Sequence, residues 1–268
     1  MRRAAALVTL VALAAGCGGG RANEVLSRTA DNLGEIRSGN LTLRMIVSPR
    51  EGTRGRVGFE LRGPFALRPG GLPVARVAYT QIAGAREATA TFISTGEKAY
   101  AEVDGQAYEL PPDSTAALRR AAGDGGDSGG LGVLAIDDWV DDPVVTDVGE
   151  VDRVKADLDV VAAANGLLGL LRQLGRDAPQ IEGEEADRLE NAVDSSNFEV
   201  WTGREDHLLR RLLLEADLGF DVPESLRRAM GDVVGARFEF ELAIANPNEP
   251  VSVAPPANPR PASELPTS

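Results

Sequence analysis

Histidine, cysteine and lysine are nearly missing from this chain. His207 is its one histidine, Cys17 its one cysteine, and Lys98 and Lys155 its only lysines. A soft-metal site needs several His or Cys ligands, and thiol catalysis needs a free cysteine, so the inventory excludes the first and supplies nothing for the second if Cys17 is committed elsewhere. A Ser-His-Asp triad would have to use His207. That residue sits in Arg204-Glu205-Asp206-His207, which reads as a turn opening a strand, and no G-x-S-x-G elbow occurs. Aromatic residues make up 4% of the sequence, a thin supply for a sugar-stacking platform.

Positive charge is scarce as well. The net charge is −13, and a surface of that sign repels nucleic acid and anionic headgroups, so a nucleic-acid partner is excluded. The acidic doublets Asp137-Asp138 and Asp141-Asp142 lack the glycine and distal glutamate of a calcium loop and read as a solvated turn. The Gly/Asp/Ser stretch 123–130 has no lysine and does not open into a Gly-Lys-Ser/Thr helix start, so it is no phosphate loop. No catalytic constellation, metal or cofactor is called for, and no enzyme is expected.

What is present begins at the first residue. Arg2 and Arg3 precede an uncharged apolar stretch, 4–15, and Ala14-Ala15-Gly16 lead into Cys17. A positive n-region, a short apolar h-region and small residues before a cysteine are the order of a bacterial lipoprotein signal, and the stretch is too short to span a bilayer. Residues 1–16 are therefore expected to be a cleaved leader and Cys17 the site of lipidation by acyl chains such as palmitate. That places the mature chain on the extracytoplasmic side of the cell membrane, held by lipid and not by charge. The glycines at 18–20 suggest a flexible tether over 17–22, and a proline cluster between 246 and 268 suggests a disordered tail.

Between these ends the periodicity changes twice. Val25, Leu26, Ala30, Leu33 and Ile36 recur at helical spacing over 23–37. Period two then takes over: Leu41, Leu43, Met45 and Val47; Val57, Phe59 and Leu61; Val77 and Tyr79; then 87–94, 98–103 and, after the Asp104-Gly105 turn, 107–110. Six strands of antiparallel meander result. A capped helix over 113–122, a helical turn at 136–140 with Trp139 as a core residue, and a hairpin about Gly149 follow. The leucine-rich 161–174 and the charged 184–193 predict two helices, after which strands return at Phe198 and Val200, over 208–218, and at Phe238, Phe240, Leu242 and Ile244. Strands, then helices, then strands predict an α+β fold: one domain over 23–245 in which a large curved antiparallel sheet wraps around covering helices.

The order of elements resembles the LppX/LprG group of actinobacterial lipoproteins, whose architecture is similar to the LolA and LolB carriers. The likeness rests on Gly16-Cys17, on Ser38-Gly39-Asn40-Leu41-Thr42-Leu43 after the first helix, on Gly96-Glu97-Lys98-Ala99-Tyr100-Ala101, on Asp138-Trp139-Val140-Asp141-Asp142-Pro143, and on Val200-Trp201-Thr202-Gly203. The resemblance implies a half-barrel enclosing an apolar cavity, with the acyl chains of an envelope lipid or glycolipid as ligand and an export or acceptor protein as a further partner. Ala88, Ala90, Ala99 and Ala101 on one sheet face would leave room under a leucine helix, and the expected lining is Phe92, Leu167, Leu170, Leu171, Leu174 and Leu189. A sensor or assembly factor that uses the same fold to bind a protein is the alternative reading.

Overall fold

Strands that are apolar on one face have to share a core, and here they do so in one sheet. The computed structural model describes residues 18–52, 55–123, 130–173, 177–220 and 233–264. Within them the meander comprises β1 (Ser38–Arg50), β2 (Val57–Ala66), β3 (Val74–Ala83), β4 (Arg86–Thr95), β5 (Ala99–Val103) and β6 (Gln106–Glu109). The second half supplies β7 (Val140–Val148), β8 (Val151–Leu158), β9 (Val193–Gly203), β10 (Leu209–Gly219), β11 (Gly235–Ala245) and the two-residue β12 (Arg260–Pro261). Together they form a 12-stranded sheet in the order β12-β6-β5-β4-β3-β2-β1-β11-β10-β9-β8-β7. The sheet is curved and unclosed, and only β12 on β6 is parallel. With helices α1 (Gly18–Asp31), α2 (Pro112–Gly123), α3 (Val160–Gln173) and α4 (Glu184–Ala192), it is the α+β half-barrel that the periodicity predicts.

Register sorts the side chains onto two faces, because successive residues of a strand point opposite ways. Met45 stands between Phe240 and Phe59, and Leu214 between Phe198 and Phe240. Phe198, Leu214 and Phe240 join Val25 and Leu26 of α1 in one core, with Met45 packed against it; this is the concave face. The convex face carries alternating charge, with Arg211 bonded to Glu241 at 2.8 Å and Arg237 to Glu215 at 3.1 Å. The charged side expected of the last strand, Arg237, Glu239 and Glu241, lies on it. Trp139 is buried in the core, as its place in the acidic turn implies.

Helix α1 crosses one end of the sheet. Its Arg21 reaches Asp147 and Asp152 beside the β7–β8 turn, its Arg28 touches His207 in the β9–β10 turn, and Asn32 just beyond it donates to the carbonyl of Asp206. Here the structure departs from the glycine tether. The helix starts at Gly18, five residues before the 23–37 expected from periodicity, and the stretch 18–22 is helical. Glycine in a helix costs about 1 kcal/mol relative to alanine. Burial of Ala22, Val25, Leu26 and Thr29 on one face of α1, together with the Arg21 ion pairs, outweighs it.

A second correction concerns the tail. Residues 246–264 form an ordered strap across the same end of the sheet, from β1 to β6. Asn248 accepts the backbone N–H of Arg37 at 2.8 Å and donates to the carbonyl of Glu35 at 3.1 Å, while the Ser38 hydroxyl donates to the carbonyl of Glu249 at 2.7 Å. Asn246 and Asn248 hold left-handed φ of 53° and 65°, a region asparagine tolerates and which turns the chain out of β11. Composition pointed to disorder because proline has no amide to donate; the strap instead uses side-chain amides and the short pairing of β12. The sheet end it crosses is buried on both faces, at Val74, Ile93 and Tyr100 on the convex side and at Ala75, Ser94 and Ala99 on the concave side. The leader, Cys17 and most of the 123–130 loop lie outside the described residues.

Candidate functional site

One cross-strand row shows where the apolar face is covered and where it is not. Register places Val200, Leu212, Leu242, Leu43, Leu61, Tyr79, Ala90 and Val103 side by side on the concave face, one from each strand from β9 to β5. Val200, Leu212 and Leu242 are 0% exposed, Leu43 and Leu61 are half-buried, and Tyr79 is 42% exposed. The row thus begins as core and ends as an uncovered apolar wall. The neighbouring row repeats the gradient, from Phe198 and Leu214 through Phe240 to half-buried Met45 and Phe59. Phe59 stacks on Tyr79 with ring centroids 6.1 Å apart. From β1 to β5 the wall spans four interstrand spacings, about 19 Å along the sheet.

The cover explains the gradient. Helix α1 packs on β7, β8 and β9, and α3 packs on the turn Ile136–Trp139 and on α4. Asp159 caps α3 by accepting the N–H of Ala162 at 2.8 Å, and Gly166 lies so close to Trp139 that a Cβ there would stand 2.4 Å from the indole. Asn165 clasps Ile181 through two hydrogen bonds of 2.9 and 2.8 Å, tying the loop before α4 onto α3. Helices α1 and α4 therefore lie against β7, β8 and β9, with α3 held on α4 and on the turn.

Of the expected lining residues, Leu167 and Leu170 are half-buried on α3 and pack against the core. Leu189 is half-buried on α4. Phe92 stands on the concave face of β4, in register between Val77 and Ala101 and half-buried. The side chain of Leu171 and all of Leu174 lie outside the described residues. The four alanines share one face as the alternation implied, although Ala88 is exposed and Ala99 buried. Two clefts, of about 340 Å³ beside Glu35, Arg37 and Asp137 and about 380 Å³ beside Pro111 and Pro259, border none of Phe92, Leu167, Leu170 or Leu189. Sequence reading did not single out Phe59, Leu61 and Tyr79 as an exposed stretch of this face. Their alternation was visible, but which strands would stay uncovered depends on where the helices dock.

Polar groups elsewhere are spent on structure. On the convex face burial pushes the Glu199 carboxyl up, but hydrogen bonds from Arg153, Lys155 and Trp201 outweigh it and hold the group at about 2. Arg21 donates to Asp147 and lowers that carboxyl below its ordinary range. His207 has φ of 52°; its Nε2 lies 3.2 Å from Arg28, while its buried Nδ1 has no partner among the described residues.

No protein-family model matches the chain, and no curated protein matches its sequence. A solved structure, that of LprF from Mycobacterium bovis, is similar to it at 12% identity and a TM-score of 0.45, covering 90% of this chain and 99% of that one. Among the described residues no helix is long and apolar enough to cross a membrane.

Proposed function

We propose that this chain is an extracytoplasmic lipoprotein, held on the cell membrane through lipid on Cys17, that shelters the acyl chains of an envelope lipid or glycolipid and performs no chemistry on them. The observation that carries the reading is the exposure gradient from Val200 to Tyr79. A folded monomer seldom leaves a contiguous apolar wall bare unless something binds it. Each methylene laid against that wall contributes about 0.8 kcal/mol, so a long alkyl tail offsets the cost of its immobilisation. The wall carries no charged group along the row from Leu43 to Val103, so selection acts on chain and shape, and the headgroup stays outside. An export or acceptor protein would hand the lipid on.

The test is native mass spectrometry of the Cys17→Ser protein secreted from a lipid-producing host. Stoichiometric recovery of an acyl lipid is expected. A lipid-free protein that instead retains a polypeptide would favour the sensor or assembly reading and overturn this one.

A further inference from the structure

Among the described residues, the large apolar side chains that are exposed fall into two groups. Val57, Tyr79 and Phe220, at 50%, 42% and 37% exposure, belong to the concave face. Val144 and Val148, at 60% and 43%, stand apart on edge strand β7. Register pairs Val144 with Lys155, Thr146 with Arg153 and Val148 with Val151, and puts Arg153 beside Trp201. The convex corner of β7 and β8 thus presents two valines, a tryptophan under the guanidinium of Arg153 at 5.3 Å, and one of the two lysines of the chain. Glu199 pairs with both cations, at 2.6 Å from Arg153 and 3.0 Å from Lys155. Valine, tryptophan and long basic side chains together suit a membrane–water interface.

The start of α1 says what lies against this corner. Arg21 is 2.7 Å from Asp147, the residue next to Val148. Cys17 lies four positions before Arg21, a stretch that even fully extended reaches only about 14 Å. The helical start at Gly18 leaves no long tether to let the domain wander.

We propose, resting on the lipid-anchor reading above, that the β7–β8 corner lies on the bilayer into which the lipid of Cys17 inserts, and that the uncovered apolar wall is carried away from it. Strand β2, where the wall carries Val57 and Phe59, is six interstrand spacings from β7, about 29 Å along the sheet. A lipid then enters or leaves by handover at a distance from the anchoring bilayer, not by direct withdrawal from it.

Full-length lipidated protein with single cysteines introduced at Val144, Val148 and Val57 tests this, because the native thiol of Cys17 is consumed by its lipid. Each variant, labelled with a small fluorophore, is reconstituted in phosphatidylcholine vesicles containing headgroup-nitroxide lipid. Co-flotation of wild type but not Cys17→Ser checks the anchor. Severalfold stronger quenching at positions 144 and 148 than at 57 is the expected result. Flotation with equal quenching, or with position 57 quenched more, overturns the orientation and leaves the anchor standing. Label-free cross-linking of Val144→Cys to a second copy in place of quenching makes β7 a chain–chain edge and also overturns it. Failure to float removes the anchor, and the orientation with it.

Discussion

Arg153 grips Glu199 with its Nε at 3.0 Å and its Nη2 at 2.6 Å while lying over the ring of Trp201. Trp201 in turn donates its indole N–H to the same carboxylate at 3.3 Å. Two strands are stitched on the convex side by this one acid, because Lys155 and Arg153 are on β8 and Glu199 and Trp201 on β9.

Acid should loosen the stitch. A carboxyl held at about 2, below its ordinary 4.5, stabilises the fold at neutral pH and loses that contribution as pH falls through the interval between the two values. The contribution at neutral pH is on the order of 3 kcal/mol and should disappear between about pH 5 and pH 2. Urea midpoints of wild type and Glu199→Gln across that range check it: the two curves should converge as pH drops. A gap that stays constant would assign the stability to packing alone.

The strap makes a separable prediction. Asn248→Ala loses the side-chain bonds to Arg37 and Glu35 and strains a left-handed backbone, whereas Asn248→Gly loses only the bonds. Each unsatisfied partner costs about 1–3 kcal/mol and the backbone strain about 1–2 kcal/mol. Thermal unfolding should rank wild type above glycine above alanine, and equal glycine and alanine variants would mean that the strap's backbone does not need that conformation.

Helix α3 should resist its own best helix former. Gly166→Ala gains about 1 kcal/mol of helix propensity but drives a methyl into Trp139, an overpacking cost of about 1–3 kcal/mol. A lowered melting temperature with a shifted tryptophan emission is expected. An unchanged emission with higher stability would show that α3 can ride up off the ring.

Charge on the uncovered wall should block the ligand without unfolding the protein. Phe59 is half-buried beside Tyr79, so Phe59→Asp leaves the main core intact while putting a carboxylate where an alkyl chain would lie. Lipid recovered with the purified protein should drop at least about tenfold, the effect of some 1.4 kcal/mol. Glu60→Ala, whose side chain projects from the other face, should keep full occupancy. Equal loss in both would point to a general defect of β2.

Periodicity alone was enough to set the strand count of the meander, the two-faced character of β11 and the burial of Trp139, because alternation and helical spacing are local consequences of backbone geometry. It was equally enough to put Ala88, Ala90, Ala99 and Ala101 on one face. The start of α1 and the order of residues 246–264 were not legible. Glycines and prolines bias a free chain toward disorder, and only partners distant in sequence, Asp147 for Arg21 and Glu35 for Asn248, reverse that bias. The bare wall at Phe59, Leu61 and Tyr79 belongs to the same class. Its residues have the same pattern as those of β11, and tertiary structure separates them by docking α1 against β7 to β9, which no local rule encodes.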